Sequence, residues 1–272
     1  MAEQRKCPGC NVEMVKKPYR SHSLGLVWRC PVNTCRKTIG FSKDSVFENS
    51  RLAIEKCLKL ILEFSLSHPV LEAAKSCEVN KNTAVSWHKV LRDVCAFVFC
   101  ADDAKLGGKG KIVEIDESLI AKRKYHRGRL IPQRWVLGFW ERETSRGFCT
   151  YVPSRNAETL ISIIQRWVAP GTTIMTDQWG AYNSLSPCGY DHRTVNHSQN
   201  FVSPEGNHTQ GIEGFWSKIK LELRLVVGSK GDLLWDHVEQ ASFDKWYFQK
   251  DHSQQQWFEF ILGCISERYP FD

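Results

Sequence analysis

Lys111-Ile-Val-Glu-Ile-Asp-Glu-Ser118 begins with alternating apolar and polar residues over Lys111–Asp116, which predict a half-buried β-strand that ends at Asp116. The strand presents one carboxylate, Asp116, and the run from Ala121 to Arg129 that follows is strongly basic. Carboxylates bind divalent cations, and clustered Lys and Arg side chains bind phosphate groups. Alone, the stretch fits either metal-assisted chemistry on a polyanion or an edge strand leading into a solvated loop. The basic side chains are Lys122, Arg123, Lys124, Arg127 and Arg129.

Periodicity around this strand predicts more strands and two helices. The predicted strands are Arg134–Trp140, Gly147–Val152, Thr172–Asp177 and His192–His197, and the predicted helices are Asn156–Trp167 and Gly211–Arg224. Three adjacent strands, a helix, and then a strand–loop–helix segment are typical of a mixed α/β layer fold.

Two further carboxylates lie where such a fold can bring them close to Asp116. Asp177 ends a predicted strand, and Glu213 lies in the first turn of the last predicted helix. Carboxylates that are packed together repel one another unless divalent cations neutralise them. Two Mg²⁺ ions about 4 Å apart would activate the attacking oxygen of a phosphodiester reaction and stabilise the leaving oxygen. Asp116, Asp177 and Glu213 are therefore the predicted catalytic residues and metal ligands.

Neighbouring side chains refine this prediction. Lys220 follows Glu213 by seven residues, so both lie on one helical face, and we predict that Lys220 holds a DNA strand beside the metal ions. Glu117 is expected on the opposite sheet face from Asp116. Glu114 shares the face of Asp116, where it is either a spare ligand or a solvated side chain, and we expect the latter.

The composition is that of a globular protein with a basic N-terminal part. The 272 residues include 37 Lys and Arg against 30 Asp and Glu, and residues 1–46 hold nine basic and three acidic residues. The length predicts two or three domains. The basic bias favours a nucleic-acid partner, although many basic surfaces are only solvated. The 11 cysteines and the absence of a signal peptide lead us to expect an intracellular protein that does not enter a membrane.

Four cysteines have the spacing of a zinc site. Cys7 and Cys10 form one close pair, and Cys30 and Cys35 form a second pair nineteen residues later. Four thiolates can complete a tetrahedral shell around Zn²⁺ and leave no open position for catalysis. We therefore predict a structural zinc ribbon over residues 1–46, in preference to four unrelated thiols.

Residues 47–104 predict an all-α DNA-binding domain. A helix over Ser50–His68 ends at Pro69, and a short helix over Leu71–Cys77 precedes a second helix over Asn82–Leu91. This order is typical of a helix-turn-helix, whose second helix enters the major groove, although a plain helical hairpin has the same pattern. The predicted DNA contacts are Lys81, Asn82, Thr83, Ser86 and Lys89.

The Gly-rich segment Asp102–Gly110 is the predicted boundary before a catalytic domain over residues 105–272. That domain ends with two aromatic-rich helical stretches, Leu233–Gln249 and Gln255–Glu267. We expect their aromatic side chains to pack against the sheet, with base stacking or an oligomer contact as alternatives.

Several of these motifs together resemble the Merlin superfamily of DDE transposases and their bacterial insertion-sequence relatives. They are Glu114-Ile-Asp-Glu-Ser118, the basic run, Trp135-Val-Leu-Gly138, Thr176-Asp177 and Asn207-His-Thr-Gln-Gly-Ile-Glu-Gly-Phe-Trp216. The zinc ribbon and helix-turn-helix resemble the front end of that family. His126 and Gly211 depart from the family's pattern, which has Asn at the first position and Ser or Thr at the second.

The resemblance implies a ribonuclease H-like mixed sheet with flanking helices that acts on transposon terminal inverted repeats. It implies catalysis by Asp116, Asp177 and Glu213 with Mg²⁺ or Mn²⁺, and cut-and-paste strand cleavage and strand transfer on double-stranded DNA. Pairing two element ends implies a homodimer on DNA. A domesticated DNA-binding regulator and a structure-selective nuclease are the alternative functions. The nucleus is the expected location in a eukaryote, and the cytoplasm otherwise.

Overall fold

The computed structural model describes residues 4–20, 24–101, 104–121, 134–195, 208–225, 232–247 and 252–270. The chain forms two compact units, the first made of Met1–Val98 with Asp251–Asp272 and the second of Phe99–Lys250. The predicted DNA contacts Lys122, Arg123, Lys124, Arg127 and Arg129 lie outside the described residues.

The first unit begins with a small antiparallel sheet around the cysteines. Strands β1 (Val15–Pro18), β2 (Leu26–Arg29) and β3 (Thr38–Gly40) pair in that order. Trp28 and Phe41 are buried beside Cys7, Cys30 and Met14, and their ring centroids lie 5.3 Å apart. These two aromatic residues thus form part of a small core in this sheet.

Three helices follow: α1 (Ile54–Ser65), α2 (Val70–Ser76) and α3 (Lys81–Ala101). The Asn80 side chain accepts a hydrogen bond of 2.8 Å from the Asn82 amide, which stabilises the start of α3. The structure extends α3 ten residues beyond the predicted helix end at Leu91, because Val94 and Val98 continue the buried face at helical spacing. Val85, also on α3, is 42% exposed.

The second C-terminal helix lies in the first unit. Helix α7 (Gln254–Arg268) packs against α1, and its Trp257 and Ile261 are buried there. The expectation that both C-terminal helices pack against the catalytic sheet is therefore wrong for α7. Its apolar face predicts burial but does not specify the partner.

The second unit contains a five-stranded mixed sheet with strand order β10-β9-β5-β6-β7. Strands β5, β6 and β7 are antiparallel neighbours, whereas β9 and β10 run parallel to β5. The bounds are β5 (Ile112–Ala121), β6 (Arg134–Glu141), β7 (Gly147–Val152), β9 (Thr173–Thr176) and β10 (Asp191–Thr194). The predicted mixed α/β fold is confirmed. A separate pair, β4 (Leu106–Gly107) and β8 (Val168–Ala169), is also parallel.

Helices cover both faces of this sheet. Helices α5 (Gln210–Leu225) and α6 (Asp232–Tyr247) bury one face through a cluster that includes Phe215, Trp216 and Val238. On the other face the ring of Phe139 stacks on Phe148, and Phe148 contacts Trp167 at the end of α4 (Ala157–Trp167). The alternation of side chains along β6 and β7 therefore supplies apolar residues to both faces, and Trp246 of α6 also contacts Phe148.

Strand β5 extends five residues beyond Asp116, whereas the sequence predicted that it ends there. The extension has a partner because β5 and β6 pair as far as Ala121 and Arg134. The pairing of β5 with β9 ends earlier, at Glu114 and Met175, so Asp116 lies just beyond the parallel neighbour. No helix in the described parts of the chain is long and apolar enough to cross a membrane.

Candidate active site and metal centre

The parallel pairing of β5 with β9 brings Asp116 and Asp177 together. The register joins Ile112 to Thr173 and Glu114 to Met175, and continuing it by two residues sets Asp116 opposite Asp177. Paired residues of neighbouring strands face the same side of a sheet, so both carboxyl groups project toward the same region.

The surroundings of Asp116 disfavour its charged form. Burial, together with the charges of Glu117 and Asp177, raises the pKa of the Asp116 carboxyl to about 6. The hydrogen bond from Trp216 opposes this shift. A buried carboxyl beside a second carboxylate is a chemical environment that a divalent cation stabilises.

Helix α5 is joined to Asp116 through Trp216. The Trp216 indole Nε1 donates a hydrogen bond of 2.9 Å to Asp116 Oδ2. Gly138, which pairs with Asp116 across β5 and β6, leaves the room for this ring. A Cβ atom at Gly138 would lie 2.8 Å from Cη2 of Trp216, closer than packed side chains allow. The glycine of the Trp135–Gly138 motif therefore permits the tryptophan to reach the carboxylate.

Glu213 lies in the first turn of α5, three residues before Trp216, and its side chain is exposed. Lys220 lies further along the same helix, with its Nζ 5.8 Å from the centre of the Trp216 ring. Within the described residues, only the four N-terminal cysteines form a group of three or more Cys, His, Asp or Glu ligand atoms as close as 4.8 Å. The structure thus pairs Asp116 with Asp177, and it does not draw Glu213 into a closed shell with them.

Glu114 is a buried residue of this region, and the expectation that it is solvated is wrong. Its side chain is 0% exposed. Glu114 Oε2 accepts a hydrogen bond of 2.8 Å from the backbone amide of Ile212, and Oε1 accepts one of 2.6 Å from Arg142 Nε. A carboxylate that accepts a free amide at a helix start stabilises that helix through its dipole. Glu114 therefore fixes the turn of α5 that carries Glu213.

Arg142 and Gly211 also hold the start of α5, and we call these contacts with Glu114 the α5 anchor. Arg142 also donates to the backbone carbonyl of His208, just before α5. A Cβ atom at Gly211 would lie 3.0 Å from Glu114 Oε2 and would overlap the indole of Trp140. The departure from the family's Ser or Thr at position 211 is thus matched by close packing in this chain.

Glu117 lies on the other face from Asp116, as predicted by strand alternation. Its side chain is 3% exposed, and its Oε1 lies 3.5 Å from Arg155 Nε. Burial raises the pKa of Glu117, against the opposing effects of Tyr182 and Arg155. Burial also raises the pKa of Tyr182. Glu117 is thus held by a cation and a phenol, apart from the helix that carries Glu213.

The four cysteines form a compact cluster whose geometry is compatible with structural zinc. Their sulfur atoms lie within 4.8 Å of one another, with Cys7 and Cys35 at 3.5 Å and Cys10 and Cys30 at 3.4 Å. Tetrahedral Zn²⁺ with Zn–S bonds of about 2.3 Å requires sulfur separations of about 3.8 Å. The Gly9 amide lowers the pKa of Cys7 to about 6, whereas burial raises that of Cys30 to about 12.

The predicted DNA contacts of α3 lie at its N-terminal end. Lys81, Asn82, Ser86 and Lys89 are exposed, and Thr83 is half-buried. The Ser86 hydroxyl donates a hydrogen bond of 2.9 Å to the Asn82 carbonyl one turn earlier. Four of the five side chains are therefore accessible to a partner.

Sequence reasoning missed Glu114, Arg142 and Trp216 as parts of the site. Alternation along β5 placed Glu114 on the face of Asp116, but it carried no information about the distant Arg142 and Ile212 that bury it. Trp216 was recognised only as the last residue of the Asn207–Trp216 motif. Its polar nitrogen was the available signal, since a buried indole N–H requires an acceptor.

Comparison with known proteins links this region to transposases. Residues 101–230 match the model of the ISXO2-like transposase domain. An "Uncharacterized transposase-like protein" of Haemophilus influenzae is 31% identical over 81 residues, which is 30% of this chain and 65% of that protein. The match thus spans a little less than two thirds of the relative's length.

Solved structures with related shape include integrase catalytic core domains. The HTLV-2 integrase core, determined in complex with magnesium, has 14% identity and a TM-score of 0.37, covering 55% of this chain and 97% of that one. The BIV integrase core has 11% identity and a TM-score of 0.36, covering 58% and 97%. Residues 101–230 are thus similar to the ISXO2-like transposase domain, and part of the chain is similar to the transposase-like protein of H. influenzae.

Proposed function

We propose that this protein is a DNA transposase of the Merlin type, which binds terminal inverted repeats and performs cut-and-paste strand cleavage and strand transfer. The observation that carries the proposal is the juxtaposition of Asp116 and Asp177 beside the helix that bears Glu213. The strand order, with three antiparallel strands and then two strands parallel to the first, supports a ribonuclease H-like fold.

Asp116, Asp177 and Glu213 would hold two Mg²⁺ or Mn²⁺ ions. The buried Asp116 carboxyl and its charged neighbour fit such ions chemically, because carboxylate oxygen is the preferred ligand of both metals. When bound, the ions supply activation of the attacking oxygen and stabilisation of the leaving oxygen of the phosphodiester.

The chain's own residues orient this site. Trp216 fixes one oxygen of Asp116, so that the other remains directed away from the indole. Glu114 and Arg142 fix the first turn of α5 and thereby the backbone of Glu213. Catalytic groups that are held by such contacts lose little freedom when substrate binds. Lys220 extends from α5 beside Trp216, where its charge favours a phosphate of the DNA strand.

DNA recognition is proposed for the first unit and the basic run. Structural Zn²⁺ on Cys7, Cys10, Cys30 and Cys35 would stabilise the small sheet. The exposed start of α3 would read base edges, as the second helix of a helix-turn-helix does. Lys122, Arg123, Lys124, Arg127 and Arg129 would hold the DNA end, with a homodimer pairing two ends.

The test is cleavage of DNA that carries the element's own ends. Wild-type protein should nick or join this DNA only with Mg²⁺ or Mn²⁺, and Asp116→Asn, Asp177→Asn and Glu213→Gln should each abolish the activity. Glu158→Gln, an exposed carboxylate on α4, is the matched control and should cut normally. A wild type that binds the ends without cutting them would favour the DNA-binding regulator, and equal cutting of scrambled branched DNA would favour the nuclease.

A further inference from the structure

Three side chains from separate segments of the second unit form a stack, which we call the indole–arginine stack: Trp135, Arg155 and Trp179. The Arg155 guanidinium carbon lies 4.0 Å from the centre of the Trp135 ring and 4.9 Å from that of Trp179. An arginine that contacts two indoles is held by cation–π attraction to both rings. Trp135 lies on β6, Arg155 precedes α4, and Trp179 follows β9.

The position of Trp179 is set by the candidate active site itself. Its backbone amide donates a hydrogen bond of 3.0 Å to Asp177 Oδ1. This contact fixes the backbone of Trp179 beside a predicted metal ligand. Although Arg155 covers its ring, Trp179 remains 45% exposed. A large aromatic surface is thus kept open and in a fixed orientation beside Asp177.

The charges around the stack decide which ligand suits it. Arg155 is paired with the buried carboxylate of Glu117, and its guanidinium contacts both indoles. Its charge is therefore already balanced, and the stack adds little attraction for a phosphate. What the stack offers outward is therefore the aromatic surface of Trp179, which binds the π-face of a base without regard to its identity.

We propose that Trp179 stacks on an unpaired nucleobase of the DNA end beside the scissile phosphate. The inference deepens the proposed function and rests on it. Duplex DNA hides its base faces, so a base next to the cleaved bond must leave the helix before it can lie on Trp179. Trp135 and Arg155 keep the indole in place before DNA arrives, which lowers the entropy cost of binding.

The test compares binding of two DNA probes to the full-length protein in Mg²⁺-free buffer. One probe is a blunt duplex of the element's end, and the other carries an unpaired flank with 2-aminopurine at its first position. Trp179→Ala should weaken binding of the flanked probe by about 5- to 150-fold, the range for losing one base–aromatic stack. It should leave binding of the blunt duplex unchanged, and it should abolish the quenching of 2-aminopurine that the wild type produces.

Two further variants separate stacking from folding. Trp179→Phe keeps an aromatic face and should recover most of the affinity and the quenching. Tyr151→Ala removes an aromatic residue that is 51% exposed on β7 and packed against Trp235, and it should behave as the wild type does. Each variant should remain folded at the assay temperature, because neither substituted ring belongs to the buried core.

The outcomes distinguish this inference from the proposed function. A Trp179→Ala protein that binds the flanked probe and quenches 2-aminopurine like the wild type would overturn the stacking role while cleavage by the wild type still stood. A wild type that binds neither probe would overturn the proposed function together with the inference.

Discussion

Replacing Glu114 by alanine tests the anchor at the start of α5. The change removes the acceptor of the Ile212 amide and the partner of Arg142 at once. Removing one partner of a buried ion pair costs about 3–5 kcal/mol. Arg142 keeps the His208 carbonyl as an acceptor, and its side chain is 20% exposed, so the lower end of this range, about 3 kcal/mol, applies. For a domain of this size the melting temperature should fall by about 6–12 °C.

Chemical denaturation of the full chain, followed by tryptophan fluorescence, measures this loss. Glu114→Gln keeps an oxygen that can accept from Ile212, so it should lose about half as much free energy of unfolding. Removing both charges in Glu114→Gln with Arg142→Met should recover part of the loss, since no unpaired charge remains buried. The exposed Glu158→Gln control should stay within about 0.5 kcal/mol of the wild type.

The anchor also predicts a loss of function at temperatures where the variant is folded. Glu114→Gln should cut its DNA ends more slowly than the wild type, because the loss of the ion pair with Arg142 leaves the first turn of α5, and with it Glu213, less firmly held. A Glu114→Ala protein that unfolds within about 0.5 kcal/mol of the wild type would refute the anchoring role. Normal cleavage by a destabilised but folded variant would refute only its link to Glu213.

Three more predictions concern other parts of the chain. Asp116→Asn should raise the free energy of unfolding at neutral pH by up to about 3 kcal/mol, since burial raises the pKa of Asp116 to about 6. Between about pH 4 and pH 6, Asp116 is more protonated in the folded wild type than in the unfolded chain, so the free energy of unfolding of the wild type should fall as the pH rises through this range. Urea titrations of the wild type and of Asp116→Asn should therefore show the variant to be more stable at about pH 6 but not at about pH 4. Gly138→Ala should lower the free energy of unfolding by about 1–3 kcal/mol, because the added methyl overlaps the Trp216 indole; a variant that unfolds in urea within about 0.5 kcal/mol of the wild type would contradict this. Chelation, or Cys30→Ser, should remove one Zn²⁺ per chain by elemental analysis and unfold the N-terminal sheet by circular dichroism, whereas Cys188→Ser, outside the cluster, should keep the metal.

The sequence was sufficient for much of the architecture of the second unit. Alternation identified β6 and β7, and Asn156 marked the start of α4, where its side chain does accept the Thr159 amide. These elements depend on residues close together in the chain. Periodicity therefore contains the information that defines them.

What escaped prediction depends on residues far apart in the chain. The burial of Glu114 requires Arg142 from the next strand and Ile212 from α5, and the docking of α7 on α1 joins the two ends of the first unit. A sequence pattern shows which face of an element is apolar, but the partner that covers it is decided by packing. The proximity of Asp116 and Asp177 was predictable in part. Two predicted strands that end in carboxylates suggested it, but only the structure shows the register of β5 with β9 that sets the two residues opposite each other.

The contacts between α5 and β5 affect the order in which parts of the protein can fold during synthesis. Glu114 meets Ile212, and Asp116 meets Trp216, across 98 and 100 residues of chain. Contacts of such long sequence separation form late in folding, because the intervening segment must be ordered first. During synthesis the central strand, with its acidic residues, leaves the ribosome long before the helix that covers it. A truncated product that stops before α5 would therefore expose the apolar face of the sheet to aggregation and would lack the third carboxylate.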